Sequence, residues 1–218
     1  FCYLLSMKRP ILLFLLIFGT CTWAQEQDKL DFKKAKIAIA PNPFFKAIQG
    51  EVRYLFDVEK PLDSFYLDAK DMNVSEVLLN EKPIRFTLTK NKLIIQKKLK
   101  PTAANSLQIQ YDRKPKQAVY FVNWNGGNTG REEIWTQGQG KYSSHWVPSF
   151  DDMNEKVEFD LDVIFDSRYT VIANGKLMDK KQDQGVTIWS FDMTKPMSSY
   201  LLAFAIGKYE KKQGISSS

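Results

Sequence analysis

Hydrophobic and polar residues alternate with a period of two along most of the chain. In Val157-Glu158-Phe159-Asp160-Leu161-Asp162-Val163 the odd positions are apolar and the even ones acidic. A strand with one buried and one wet face reads this way. Val52, Tyr54, Phe56 and Val58 alternate with Arg53, Leu55 and Asp57; Leu107, Ile109 and Tyr111 alternate with Gln108, Gln110 and Asp112. Shorter runs predict strands over 36–40, 65–69, 77–79, 84–88, 93–96, 119–122, 133–137, 170–173, 186–191 and 200–206. Turn residues separate them at Pro41-Asn42-Pro43, Lys60-Pro61, Asn80-Glu81-Lys82-Pro83 and Lys100-Pro101. Asn174-Gly175 joins two strand-like runs and predicts a hairpin with a tight primed turn. The nearly continuous apolar run from Ser199 to Gly207 predicts a strand buried on both faces. No stretch sustains a helical period. Strands about ten residues apart predict a mainly β fold, an antiparallel sandwich or layered sheet.

The N-terminus departs from this pattern. Lys8 and Arg9 precede the apolar run from Ile11 to Phe18. A membrane-spanning helix needs about 20 such residues, so the run is too short. Thr22-Trp23-Ala24 puts small residues at the usual −3 and −1 positions of a signal peptidase site. The expectation is a secretory leader over 7–24, preceded by flanking residues over 1–6, with no stable membrane span in the mature chain. An N-terminal anchor is the alternative, and the length argues against it. A lead-in over 25–35 and a β-domain over 36–210 then follow, ending in a short linker over 211–218. Export on such a leader implies the periplasm or the outside of a bacterial cell.

Composition narrows the function classes. The 218 residues are 44% hydrophobic, 26% charged and 13% aromatic. That mix excludes a disordered chain, a collagen and a polytopic membrane protein. Losing Lys8 and Arg9 with the leader takes the net charge from +6 to +4. The remaining basic pairs lie scattered among acidic residues, so no nucleic-acid partner is expected. Cys2 and Cys21 both precede the expected cleavage point, and His145 is the single histidine. A zinc finger, an iron–sulfur site or a disulfide scaffold is therefore excluded. A catalytic zinc needs three protein ligands, and HExxH, GxSxG and a Cys–His pair are all absent. The expectation is that this chain performs no chemistry alone, with no catalytic residue and no metal site of its own.

Three segments stand out. In Ile134-Trp135-Thr136-Gln137-Gly138-Gln139-Gly140-Lys141 two glutamines alternate with glycines after a strand. Gln137 and Gln139 then point to one side of an extended chain and offer amide acceptors and donors. They read either as a twisted edge strand with solvated amides, the simpler reading of the pattern, or as a recognition strand for an ammonium or a peptide backbone. His145-Trp146-Val147-Pro148-Ser149-Phe150-Asp151-Asp152 packs aromatics around a proline turn. Here His145 is expected to be held by packing near Trp146, and Asp151 and Asp152 to cap a turn or pair with a basic residue. The third segment, 123–130, reads as a long hairpin connection. Trp124, Trp135, Trp146, Tyr120 and Tyr142 are together candidates for an exposed aromatic platform.

Trp135-Thr136-Gln137-Gly138-Gln139, Trp146 to Asp152, Lys156 and Phe159 resemble the N-terminal domain of the aminopeptidase N family of zinc metallopeptidases. That family carries a Thr/Ser-Gln-x-Glu/Gln strand, a Pro-x-x-Asp turn, a Lys and an alternating strand. Val171 to Gly175 resembles its Asn-Gly hairpin, and Phe191 to Phe204 with Ile206-Gly207 its closing strand. Ile48 to Val52, Leu67 to Ala69 and Val77 to Asn80 fit its early strands. The resemblance implies a β-rich, saddle-shaped domain in front of a thermolysin-like catalytic domain. It also implies that zinc is held in that second domain, by HExxH and a later Glu, so that 211–218 leads toward a catalytic domain missing from this chain. Gln139 would help hold the α-amine of a peptide substrate, and Gln137 would line the pocket for its leading side chain. The implied partners are the peptide N-terminus and the catalytic domain of the same polypeptide.

Two main functions remain open, beside a third in which a catalytically dead relative uses the β-domain as a scaffold. One is the substrate-recognition and scaffold domain of an exported zinc aminopeptidase. The other is a stand-alone secreted binding module for carbohydrate or protein. Glutamines at an exposed edge beside an apolar docking surface favour the first; aromatics stacked on an open face favour the second.

Overall fold

The alternating positions become the two faces of strands in a computed structural model, which describes residues 27–126, 131–210 and 212. The expected leader over 7–24 lies outside the described residues, as do part of the 123–130 loop and most of 211–218. The first strands are β1 (Leu30–Asn42), β2 (Ala47–Val58), β3 (Phe65–Asp68), β4 (Asn73–Leu79), β5 (Lys82–Pro83), β6 (Phe86–Leu88), β7 (Lys92–Ile95) and β8 (Thr102–Arg113). Then come β9 (Val119–Val122), β10 (Glu133–Thr136), β11 (Val157–Asp166), β12 (Thr170–Ala173), β13 (Lys176–Asp183), β14 (Val186–Met197) and β15 (Phe204–Gly207). The helical elements among the described residues are short 3-10 turns, at Gln27–Lys29, Ser143–His145 and Ser199–Leu201.

These strands form three sheets. The large one has the order β13-β14-β11-β1-β2-β8-β4-β5, a second β12-β15-β10-β9, and a third β3-β7-β6. Every pairing is antiparallel except β1 with β11, which run parallel from Lys34↔Glu158 to Ile39↔Val163. The large sheet turns Ile37, Ile39, Val52, Tyr54, Phe56, Leu107, Ile109, Phe159, Leu161 and Val163 inward, all buried. The smaller sheets add Phe65, Leu67, Leu93, Ile95, Ile134, Phe204 and Ile206 to the same core. Phe32 bridges the layers, 5.1 Å from the Phe56 ring and 4.4 Å from that of Phe150. The Tyr54 hydroxyl donates to the Pro148 carbonyl at 2.6 Å, so this buried phenol is satisfied.

Three sequence expectations need correction. β1 starts at Leu30 rather than Lys36, because the register shifts between Phe32 and Lys34. Such a bulge moves the buried set from even to odd positions, so the two halves do not read as one period. Asn174-Gly175 is not a hairpin turn: β12 pairs with β15, and β13 pairs with β14 in another sheet. Asn174 instead ties to the closing segment, its Oδ1 accepting from Ala203 N at 2.6 Å. Gly175, at φ +86°, lets the chain cross between sheets against the Asp192 carbonyl. The hairpin lies at Gln184-Gly185, both at positive φ between Asp183 and its partner Val186, as a primed two-residue turn requires. Finally, the Ser199–Gly207 run is not one doubly buried strand. It opens as a 3-10 turn with Leu201 47% exposed, and only Phe204–Gly207 is a strand.

Outside the core, the large sheet sets Asp160 directly opposite Asp192. Lys34 Nζ pairs with Asp160 Oδ2 at 2.8 Å, while the Oδ1 atoms of both aspartates are buried without a donor. Burial pushes the Asp160 carboxyl above its ordinary range; Lys34 pulls it back, and Asp192 pushes it up again. Asp160 thus favours folding most below about pH 4, where the unfolded carboxyl is also protonated. That contribution is lost as pH rises through the raised folded value. Asp192→Asn supplies a donor and removes the facing charge. Urea denaturation at a series of pH values should show a smaller loss of stability from pH 4 to 7 than in the parent chain; an unchanged slope would contradict this account.

Candidate functional site

β10 lies between β9 and β15, with Ile134 facing the core opposite Ile206. Its ladder ends just past Thr136, where Gln137 N donates to the Ala118 carbonyl at 2.9 Å. Gly138 then passes under the closing segment. A Cβ there would overlap the Tyr200 carbonyl oxygen and crowd Ser143 Oγ, so the position requires glycine. Gly140, at φ +90°, turns the chain away. Gln137 and Gln139 are therefore exposed on either side of a buried residue. Together they line an open cleft of about 280 Å³ with Gln117, Ala118, Tyr120 and Tyr142. The structure thus brings the two expected residues to one site. Gln117 and Ala118, just before β9, carry no motif, and only the pairing of β9 with β10 brings them here.

The segment after the glutamines is clamped from three directions. Lys70 Nζ donates to the Lys141 carbonyl at 2.8 Å and pairs with Asp151 Oδ2 at 2.6 Å. Asp68 exchanges backbone hydrogen bonds with Ser149 and accepts from Asp151 N at 2.8 Å. Ser143 Oγ donates to the Ser199 carbonyl at 2.7 Å, and Ser199 Oγ donates to that of Phe150. Asp151 accordingly pairs with a lysine, while Asp152 Oδ1 accepts from Asn154 N at 2.9 Å, as a turn cap does. Burial raises the Asp68 carboxyl above its ordinary range. His145 packs on the Tyr142 ring, 5.6 Å between centroids. Burial lowers its pKa, and the Lys70 and Arg113 charges lower it further, leaving the imidazole neutral at pH 7.

Beside the cleft, the outer face of the small sheet is apolar. Tyr120, Trp135, Ala205 and Ile172 stand directly across from one another on β9, β10, β15 and β12. Tyr120 is 41% and Ile172 53% exposed, and Tyr120 stacks on Trp135 at 4.3 Å. Trp146 is no part of an exposed platform: it is fully buried against Phe204. Trp124 lies elsewhere again, in a larger cleft of about 550 Å³ shared with Phe44, Tyr169, Asp166 and Arg168. The five aromatics therefore divide among separate sites. The larger cleft has none of the glutamines; of its three charged groups, Arg168 is joined through its guanidinium to Asp166, and Glu132 pairs with Lys208 at 3.7 Å.

Residues 31–201 match the family model of the peptidase M1 N-terminal domain. The chain belongs to this family. Among M1 relatives, it is 24% identical to the leucyl aminopeptidase of Saccharolobus solfataricus, covering 71% of this chain and 19% of that one. It is 25% identical to the aminopeptidase N of Lactococcus lactis subsp. lactis, covering 78% of this chain and 20% of the relative. The chain thus spans about a fifth of the length of these curated relatives. In fold it is similar to an M1 zinc metallopeptidase from Deinococcus radiodurans, with a TM-score of 0.71 and 19% identity over 83% of this chain and 43% of that one. Yeast LTA4 hydrolase gives a TM-score of 0.72 at 19% identity, over 84% of this chain and 29% of that one.

The Deinococcus radiodurans neighbour is a zinc metallopeptidase by name. No three His, Cys, Asp or Glu side chains among the described residues of this chain converge in a way that would hold an ion. The lone imidazole, His145, is engaged with Tyr142. The described part of this M1 domain does not fit zinc. No helix among the described residues is long and apolar enough to cross a membrane.

Proposed function

We propose that the chain is the N-terminal substrate-recognition and scaffold domain of an exported, zinc-dependent aminopeptidase that removes N-terminal residues from peptides. The supporting observation is that Gln137 and Gln139 share one open cleft beside the apolar row of Tyr120, Trp135, Ala205 and Ile172. The cleft offers amide carbonyls to a substrate α-ammonium, which needs several acceptors when it leaves water. Beyond Tyr120, which borders the cleft, the row of Trp135, Ala205 and Ile172 offers a docking face for the catalytic domain, which would carry the zinc. An amide brings no charge, so the anionic partner of the ammonium falls to that domain. In this reading Gln139 holds the amine and Gln137 lines the space for the leading side chain. The leader over 7–24 directs the protein out of a bacterial cytoplasm, to the periplasm or beyond.

The test uses the polypeptide encoded by the whole reading frame. Gln139→Ala is expected to lower kcat/KM for aminoacyl-amide hydrolysis by about 10- to 100-fold, the loss of one hydrogen bond to a charged group. N-acetylated substrates should be refused by both forms. An unchanged kcat/KM would remove Gln139 from the site. Two observations favour a stand-alone carbohydrate- or protein-binding module: the larger aromatic cleft around Phe44 and Trp124, and Tyr120 stacked on Trp135 on an open face. Sequencing beyond the Ser218 codon separates the readings: an HExxH supports the enzyme, and a stop codon supports the module.

A further inference from the structure

We infer that the glutamine cleft selects peptides whose leading residue is uncharged and aromatic, with Tyr120 and Tyr142 as its specificity-determining walls. This rests on the aminopeptidase reading above and goes beyond it by naming the substrate class.

The cleft is built from neutral groups. Three amides (Gln117, Gln137 and Gln139), one methyl (Ala118) and two phenols (Tyr120 and Tyr142) line it, and no ionised side chain does. A leading Lys, Arg, Asp or Glu would leave water here without a counter-charge from this wall, which is unfavourable. An aromatic ring meets the opposite situation. Cavities of roughly 150 Å³ already accept benzene, and this cleft has about 280 Å³.

Its two tyrosines are braced on their far sides. Tyr120 stacks on Trp135 with centroids 4.3 Å apart and planes 22° apart, and Tyr142 leans on His145 at 5.6 Å and 41°. Both remain substantially exposed, Tyr120 at 41% and Tyr142 at 43%. A ring that is held from behind and open in front loses little freedom when a second ring packs on it. Because the neighbouring imidazole is neutral, Tyr142 brings no charge with it. The chain trace adds rigidity. Gly138 is wedged beneath Tyr200, and Lys70 grips the Lys141 carbonyl immediately before Tyr142. Gln137, Gln139 and Tyr142 therefore hold their spacing before substrate arrives.

The whole polypeptide is assayed with amides of Phe, Tyr, Ala, Lys and Glu. Phe and Tyr substrates should exceed Lys and Glu in kcat/KM by about tenfold or more, the scale of one aromatic contact plus one unpaired charge. Tyr142→Ala should lower the Phe substrate about tenfold while leaving Ala within about twofold; Tyr142→Phe should retain the parent selectivity. Equal turnover of Lys and Phe, or an equal loss across all substrates in Tyr142→Ala, would overturn the inference. If the parent hydrolyses none of them, the aminopeptidase reading fails by itself, and calorimetric titration then decides. Phenylalaninamide should bind the parent, with weaker binding to Tyr142→Ala and weaker binding of lysinamide. Equal binding of the two amides, or binding of neither, would sink the inference.

Discussion

Replacing Trp146 with alanine should lower the unfolding free energy by about 3–5 kcal/mol, the usual cost of emptying a buried tryptophan site. The side chain is fully buried, with the Phe204 ring 5.3 Å away at 76°. Its indole Nε1 is buried without a partner, so the loss comes from apolar contact rather than from a hydrogen bond. Trp146→Phe should therefore cost much less than Trp146→Ala, because it keeps a ring and removes the unpaired donor. Urea denaturation provides the check: the alanine variant should shift the midpoint without changing the slope. Similar losses in the two variants would show that the indole's hydrogen-bonding group matters after all. Activity should follow stability here, because Trp146 sits in the segment clamped by Lys70 and Asp68 and not in the cleft.

The second large effect is expected at the crossing between sheets. Gly175→Ala combines a left-handed backbone with a Cβ that overlaps the Asp192 backbone. The first costs about 1–2 kcal/mol and the second about 1–3 kcal/mol, so a loss of about 2–5 kcal/mol follows. Gly185→Ala isolates the two contributions. Gly185 has a similar φ, +84°, but a Cβ there meets nothing within 4 Å. It should show only the backbone part. Equal losses at the two positions would mean that the chain at 175 gives way without effort, and that Asn174, not Gly175, fixes the crossing.

The legible part of the fold was the part with one wet face and one dry one. In β2 and β11 each buried residue follows an exposed or half-buried one, so a period of two announced them without ambiguity. β13 was invisible for the opposite reason: all eight of its residues are exposed, so it has no dry face to betray it. It is an edge strand protected by charge, with Lys180 over the Trp189 ring and Lys181 paired to Asp179. Asn174-Gly175 has the composition of a hairpin turn, and only the competing tie from Asn174 to Ala203 shows where the chain goes. At the site, the two glutamines were legible because both lie on one short stretch. Gln117 and Ala118 were not, since pairing across β9 and β10 is a tertiary fact. Trp146 read both as a packing ring beside the proline turn and as a candidate for an exposed platform, because composition does not separate an exposed indole from a buried one.

The single parallel pair carries a kinetic consequence. β1 is an interior strand of the large sheet, and its second neighbour, β11, leaves the ribosome long after it. Until then Ala35, Ile37 and Ile39 lie along an open apolar edge with unpaired amides. Such late, distant closure slows folding and leaves the nascent chain exposed to misassociation.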